Sequence, residues 1–191
     1  MVTPVNDKGC CECGHRRCRV CDFLVECTDF KSRATGNNFV INFNVHCNSD
    51  HVVYLLSNGK CDMQYVGSTI TKFRTRFNNH KSRLNVHWRL TAENKTKDDY
   101  IYRDFNQPDH QGLNDVRVRL IEKCFNEARL RDREAQWAYR LRSIHPLGLN
   151  SDDFFCSRNR RRDLYWHVIR LRLGLCCNAR KHFHIVTCYT S

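Results

Sequence analysis

The run Val52-Val53-Tyr54-Leu55-Leu56, the tetrapeptide Ser57-Asn58-Gly59-Lys60 and the run Asp62-Met63-Gln64-Tyr65-Val66-Gly67 constrain this chain more than any other feature. Two β-prone stretches separated by an Asn-Gly pair predict an antiparallel hairpin, because both turn residues tolerate positive φ. From Ile70 to about Asn85 the apolar residues Phe73, Phe77 and Leu84 recur in one narrow helical stripe. Val116, Val118 and Leu120 alternate with Arg117 and Arg119, the period of a half-exposed strand. Residues 127 to 142 return to helical spacing with Leu130, Trp137, Ala138 and Leu141 on one side, and Pro146 is expected to stop that helix. The polar stretch through Asp109 is expected to be irregular.

Charge and cysteine usage divide the 191 residues into three. Residues 1–50 are electrically neutral, with six Lys/Arg and six Asp/Glu, yet hold seven of the 13 cysteines. Residues 51–150 carry 18 basic and 11 acidic side chains and most of the strand and helix patterning, so they are expected to form the folded body. Residues 151–191 hold eight basic and three acidic side chains, including Arg158, Arg160, Arg161 and Arg162, and are expected to be a basic, partly helical extension. The net charge of +12 predicts a polyanionic partner, nucleic acid being the usual one. No stretch nears the roughly 20 apolar residues that span a bilayer, and Met1-Val2-Thr3-Pro4 has no apolar signal core, so neither a membrane nor a secreted protein is expected.

Cys10-x-x-Cys13 and Cys18-x-x-Cys21, followed by Cys27 and Cys47, have ligand spacing. An odd cysteine count in a chain expected to sit in a reducing compartment favours metal over disulfides. Four thiolates around Zn²⁺ would fold a segment too short to build its own core, and spacing alone allows Cys10 as readily as Cys47 in the set. Cys176, Cys177, His182, His184 and Cys188 match no trusted ligand pattern.

Several polar residues sit where a core would be. Glu134 follows Leu130 by four and precedes Trp137 by three, so its carboxylate projects from the apolar stripe. A desolvated carboxylate needs a cation, and the ordinary reading pairs it with Arg131 or Arg133. Arg76 and His80 are i, i+4 neighbours beside the Phe73 stripe, where most such pairs are surface groups. Tyr54 and Tyr65 lie on the paired strands among apolar neighbours, the ordinary place of a core tyrosine.

Taken in order, Val52-Val53-Tyr54, Tyr65-Val66-Gly67, Arg76 with His80, Arg133-Glu134-Ala135-Gln136-Trp137 and Pro146-Leu147-Gly148-Leu149-Asn150 resemble the GIY-YIG nuclease family over residues 51–150. The details are closest to the endonuclease module of Penelope-like retroelements. The resemblance implies an α+β fold, a small three-stranded antiparallel sheet flanked by helices, preceded by a Cys-rich zinc module. It implies that Glu134 binds Mg²⁺ or Mn²⁺ and that Tyr54 is the general base, for which a nearby cation or the metal must lower a pKa ordinarily near ~10. Arg76 would neutralise charge on the scissile phosphate, His80 and Tyr65 would position water and phosphate or relay a proton, and Asn150 would anchor the site. Arg74, Lys81, Arg160, Arg161 and Arg162 would contact DNA. The resemblance favours Cys13, Cys18, Cys21 and Cys47 as the zinc ligands.

The chain also departs from the pattern. Val52-Val53-Tyr54 stands for Gly-Ile-Tyr and keeps the tyrosine. Asp104-Phe105 stands for His-Phe, removing a proton-transfer or phosphate-contacting group for which His87 or His110 could substitute. Asn58 and Cys61 stand for a Cys-x-x-Cys pair, which makes Cys61 an ordinary buried cysteine. The function implied is a metal-dependent, nuclear DNA endonuclease whose nick primes reverse transcription, with no small-molecule cofactor and a reverse transcriptase module in the parent element as partner. The rival readings are a branched-DNA repair nuclease of the same family, which usually carries its zinc module after the nuclease domain, and a non-catalytic zinc-containing nucleic-acid binder.

Overall fold

The computed structural model describes residues 8–87 and 100–151. The side chain of His87 and the whole extension from residue 152, with its arginine run and its Cys/His set, lie outside the described residues. The described residues belong to one compact unit that ends at Asp152. None of their helices is long and apolar enough to cross a membrane.

A three-stranded antiparallel sheet forms the centre. Strands β1 (Gly9–Cys10), β2 (Asp29–Lys31), β3 (Asn38–Val40) and β4 (Asn44–Val45) precede β5 (Val52–Asn58), which pairs with β6 (Gln64–Thr69) on one side and β7 (Val116–Lys123) on the other. Every residue of β5 is buried, as a strand covered on both faces must be. Helices α1 (Phe73–His87) and α2 (Tyr100–Phe105) cover one face and α3 (Glu127–Leu141) the other. Tyr54 and Asn58 point to α1 and α2, where the Tyr54 ring meets Phe73 and Asn58 meets Asp104. Val53 and its cross-strand partner Ser68 point to α3, where Ser68 meets Glu134. Fully buried Phe73, Phe77 and Leu130 line the two helix seats, each contributing about 1.5–3 kcal/mol over an exposed position.

Four local features differ from what the sequence predicts. The β5–β6 turn does not place positive φ at Asn58-Gly59. Asn58 Oδ1 accepts from Lys60 N at 2.9 Å, the Asn58 carbonyl accepts from Asp62 N, and the left-handed residue is Asp62 at φ 57°. Gly59 is needed for closeness, since a Cβ there would lie 3.2 Å from the Asp115 carbonyl oxygen. Helix α1 begins at Phe73, three residues later than expected, because Thr69 and Thr71 form a side-chain turn. Helix α3 stops before Pro146 is reached: Arg142 adopts φ 50° and Ser143 N donates to the Ala138 carbonyl, a Schellman-type closure using a non-glycine residue. Finally, the segment read as irregular contains α2, which buries Ile101, Tyr102, Asp104 and Phe105.

The Cys-rich segment is woven into this body. Phe30 and Phe39, paired across β2–β3, stack around Trp137 of α3, with Phe30 5.3 Å from the indole. Phe23 lies 5.0 Å from Phe77. Val25 N donates to the Val118 carbonyl, so the segment runs along the outer edge of β7. The free N–H groups of α1 are met by the same segment, Phe73 N by the Ser49 carbonyl at 2.9 Å and Arg74 N by the Cys47 carbonyl at 2.8 Å.

Candidate active site and thiol centre

The hairpin and α1 bring Tyr54, Tyr65, Arg76 and His80 together. Tyr54 is fully buried, and its hydroxyl accepts from Arg76 Nε at 3.0 Å and lies 2.8 Å from His80 Nε2. The i, i+4 spacing of Arg76 and His80 aims both at the one hydroxyl. Tyr65, across the hairpin, has its ring 6.5 Å from Tyr54 and 5.9 Å from His80. Gly67, opposite Tyr54, leaves room for the phenol: a Cβ there would stand 2.5 Å from the Tyr54 oxygen. That close approach is the physical reason for glycine at this position.

From the other face, α3 delivers Glu134, 4% exposed, whose Oε2 accepts from Ser68 Oγ at 2.6 Å. Arg131 pairs with Glu127, and Arg133 Nε donates to both oxygens of Glu122 at 2.7 and 2.8 Å. The arginines that flank Glu134 in sequence are thus drawn to other carboxylates. Trp137 Nε1 also donates to Glu122, at 2.6 Å. Beside Ser68 a cleft of about 300 Å³ is lined by Thr69, Arg76, Asn79, Leu130 and Arg131. Asn150, 1% exposed, spans the backbone of Val66, accepting from its N–H at 2.9 Å and donating to its carbonyl at 2.7 Å, and accepts from Ser143 Oγ. It thereby fastens the segment after α3 onto β6.

The electrostatics of Tyr54 differ from the expected lowering by a cation. Burial raises its pKa well above the ordinary value, Tyr65 and Glu134 add to the rise, and Arg76 opposes it. In this state Tyr54 is a neutral phenol. Burial, with Arg76 and Arg83 beside it, pushes His80 down to about 3, so its imidazole is neutral too. Arg76 is held cationic: burial opposes its charge, but the oxygens of Tyr54, Tyr65 and Tyr102 raise its pKa.

Two residues with no place in the sequence pattern belong to this site. Ser68 holds Glu134, and Tyr102, 3% exposed, places its hydroxyl 3.1 Å from His80 Nδ1. The signal for Tyr102 is Ile101 with Phe105, an i, i+4 apolar pair in a polar stretch. Asp104 sits elsewhere, at the hairpin end of β5, accepting from Asn58 Nδ2 at 2.7 Å and from the Cys61 thiol at 3.7 Å. His110 joins it there, so thiol, carboxylate and imidazole atoms lie within 4.8 Å of one another. Cys61 is therefore a half-buried member of a polar cluster. Arg74 is exposed at the start of α1, while Lys81 lies over the Phe23 ring at 5.2 Å.

Among the cysteines, Cys13, Cys18, Cys21 and Cys47 converge, all four sulfurs lying within 4.8 Å of one another. The separations are 3.3 Å for Cys18–Cys47, 3.6 Å for Cys13–Cys21 and 3.8 Å for Cys21–Cys47. Sulfurs at the corners of a tetrahedron with Zn–S near 2.3 Å stand about 3.8 Å apart, so the group could hold an ion of that size and softness. Burial would raise the Cys18 thiol, but hydrogen bonds from Cys47 and from backbone groups of Cys21 and Val20 bring it down to about 7. Burial lifts Cys21 to about 11 and Cys47 higher still, Cys47 also feeling its thiol neighbours. Cys10 lies outside the group: its thiol accepts from Leu120 N, its backbone bridges to that of Cys27, and burial raises it to about 12.

No family model and no curated protein matches the chain. Among solved structures it is similar to the catalytic domain of the homing endonuclease I-TevI, at 21% identity and a TM-score of 0.42, over 53% of this chain and 98% of that one.

Proposed function

We propose that the protein is a metal-dependent endonuclease that hydrolyses phosphodiester bonds in DNA. The observation that carries this reading is the bonded row Arg76–Tyr54–His80, set beside an open cleft and within electrostatic reach of the Glu134 carboxylate. Glu134 and Ser68 offer hard oxygen donors that fit Mg²⁺ or Mn²⁺ with several waters kept, and neither competes for a soft ion. When bound there, such an ion would stabilise negative charge on the phosphate and the leaving 3′ oxygen.

The chain's own residues divide the remaining work. Arg76, charged and lining the cleft, meets a phosphate oxygen with its outer guanidinium nitrogens while Nε holds Tyr54. Tyr54 is fully buried in this state, so the attacking water must come to its oxygen with the substrate; that water then gives a proton to the Tyr54 oxygen as the Tyr54 proton passes to His80 Nε2, so no free phenolate is needed. The water oxygen bonds to phosphorus, the P–O3′ bond breaks, and the 3′ oxygen recovers a proton from solvent. Cys13, Cys18, Cys21 and Cys47 hold a structural zinc ion, and Arg74, Lys81 and the run Arg160-Arg161-Arg162 bind the DNA backbone. Origin in a Penelope-like retroelement, where the nick primes reverse transcription in the nucleus, completes the reading.

The test is nicking of supercoiled plasmid with Mg²⁺ or Mn²⁺, wild type beside Glu134→Ala and Arg76→Ala. Metal-dependent conversion to the nicked circle, lost by at least about 100-fold in both variants, is expected. Binding without cleavage by the wild type would overturn the reading in favour of a non-catalytic binder.

A further inference from the structure

The hydrogen bonds at Tyr54 fix where the protons of the site reside. The Tyr54 oxygen has one proton to give, and its partners in the structure are Arg76 Nε and His80 Nε2. A guanidinium only donates, so the Tyr54 proton has one acceptor open to it, Nε2. A neutral imidazole that accepts at Nε2 carries its proton at Nδ1, and Nδ1 lies 3.1 Å from the Tyr102 hydroxyl. All three side chains are at most 3% exposed, which keeps water from substituting for either bond.

We propose that Tyr102 is a positioning residue: its hydroxyl oxygen accepts the Nδ1 proton of His80 and so keeps Nε2 as the proton acceptor for Tyr54. Helix α2 supplies Tyr102, and its ring is backed by the Arg83 guanidinium 4.4 Å from the ring centroid. That cation lies against the ring of the phenol. The depressed pKa of His80 agrees, because a doubly protonated ring would present a donor to Tyr54 and leave the buried Tyr54 proton without an acceptor. When Tyr54 hands its proton to Nε2, the imidazolium that forms already has its second N–H bonded to Tyr102, so no reorganisation is required at that moment. This role rests on the nuclease reading, but the proton position stands on the bonding alone.

The test uses the full chain with ¹⁵N-labelled histidine and Tyr102→Phe, which keeps the ring and its packing. Nitrogen shifts should show His80 as the Nδ1–H tautomer in the wild type and shifted toward Nε2–H in Tyr102→Phe. Cleavage by the variant should fall in kcat by about 10- to 100-fold with KM for DNA unchanged. Should Tyr102→Phe fail to fold, Tyr54→Phe decides: retention of Nδ1–H supports Tyr102 as the holder, and reversion overturns it. An Nε2–H tautomer in the wild type, or an unchanged tautomer in Tyr102→Phe, also overturns the proposal. A protein with the Nδ1–H tautomer, lost in Tyr102→Phe, that cuts no DNA breaks the nuclease reading alone.

Discussion

The thiol centre and the tyrosine site satisfy their polar groups in opposite ways. Around Cys13, Cys18, Cys21 and Cys47 the groups brought together are alike, four acids of low hydrogen-bonding strength whose close approach costs free energy once more than one ionises. Around Tyr54 the groups are unlike and complementary: a cation that only donates, a phenol that does both, a neutral imidazole, and a second phenol. The first arrangement is stable when a cation completes it. The second is complete by itself and leaves Arg76 facing an open cleft. The two clusters thus differ in whether the protein's own groups satisfy one another.

That contrast can be broken most decisively at the thiols. Replacing Cys18 and Cys21 by Ser should remove about one zinc per chain by elemental analysis and unfold the segment before β5, given the ≈ 10–16 kcal/mol that such ions supply in small zinc modules. Zinc-free protein with full thermal stability would show that the thiols need no ion. Next in size is Gly67→Ala, whose new methyl would stand 2.5 Å from the Tyr54 oxygen. It should cost about 1–3 kcal/mol in denaturant unfolding and displace Tyr54, with cleavage falling further than stability alone explains.

Asn150→Ala leaves the Val66 N–H and carbonyl without their side-chain partner and should lower stability by about 1–3 kcal/mol while the zinc content stays unchanged. Smallest is a pH effect. His80 titrates near 6.5 when unfolded and is pushed down to about 3 when folded, so between these values the unfolded chain binds more protons. Its contribution is present above about pH 6.5 and is lost as pH falls toward 3. His80→Gln should therefore flatten the acid limb of a stability-against-pH curve by up to one proton, and an unchanged limb would mean that His80 is not held neutral.

The sequence made the sheet legible because its strands carry unbroken or alternating apolar runs, and it made Glu134 legible because one carboxylate interrupts a helical stripe. It hid what depends on contacts between distant segments. Helix α2 spans Tyr100–Phe105, too short for periodicity to stand out from a polar background, so Tyr102 stayed hidden with it. Ser68 is an ordinary serine until α3 places Glu134 2.6 Å away. Sequence proximity likewise does not reveal that Arg133 bonds Glu122 and Arg131 bonds Glu127, the first a contact between α3 and a distant strand. Nor does a neutral, cysteine-rich composition announce that residues 23, 30 and 39 stack against the helices of the body.

The bond from Val25 N to the Val118 carbonyl has a practical consequence. It covers the outer rim of β7, a strand whose residues 116, 118, 120 and 121 are apolar and buried. A shortened protein starting at residue 51 would keep the apparent catalytic pattern but bare that rim, along with the apolar seats of Phe23 and Phe30. Open strand edges template pairing with other chains, so such a fragment is expected to precipitate or form dimers in the test tube.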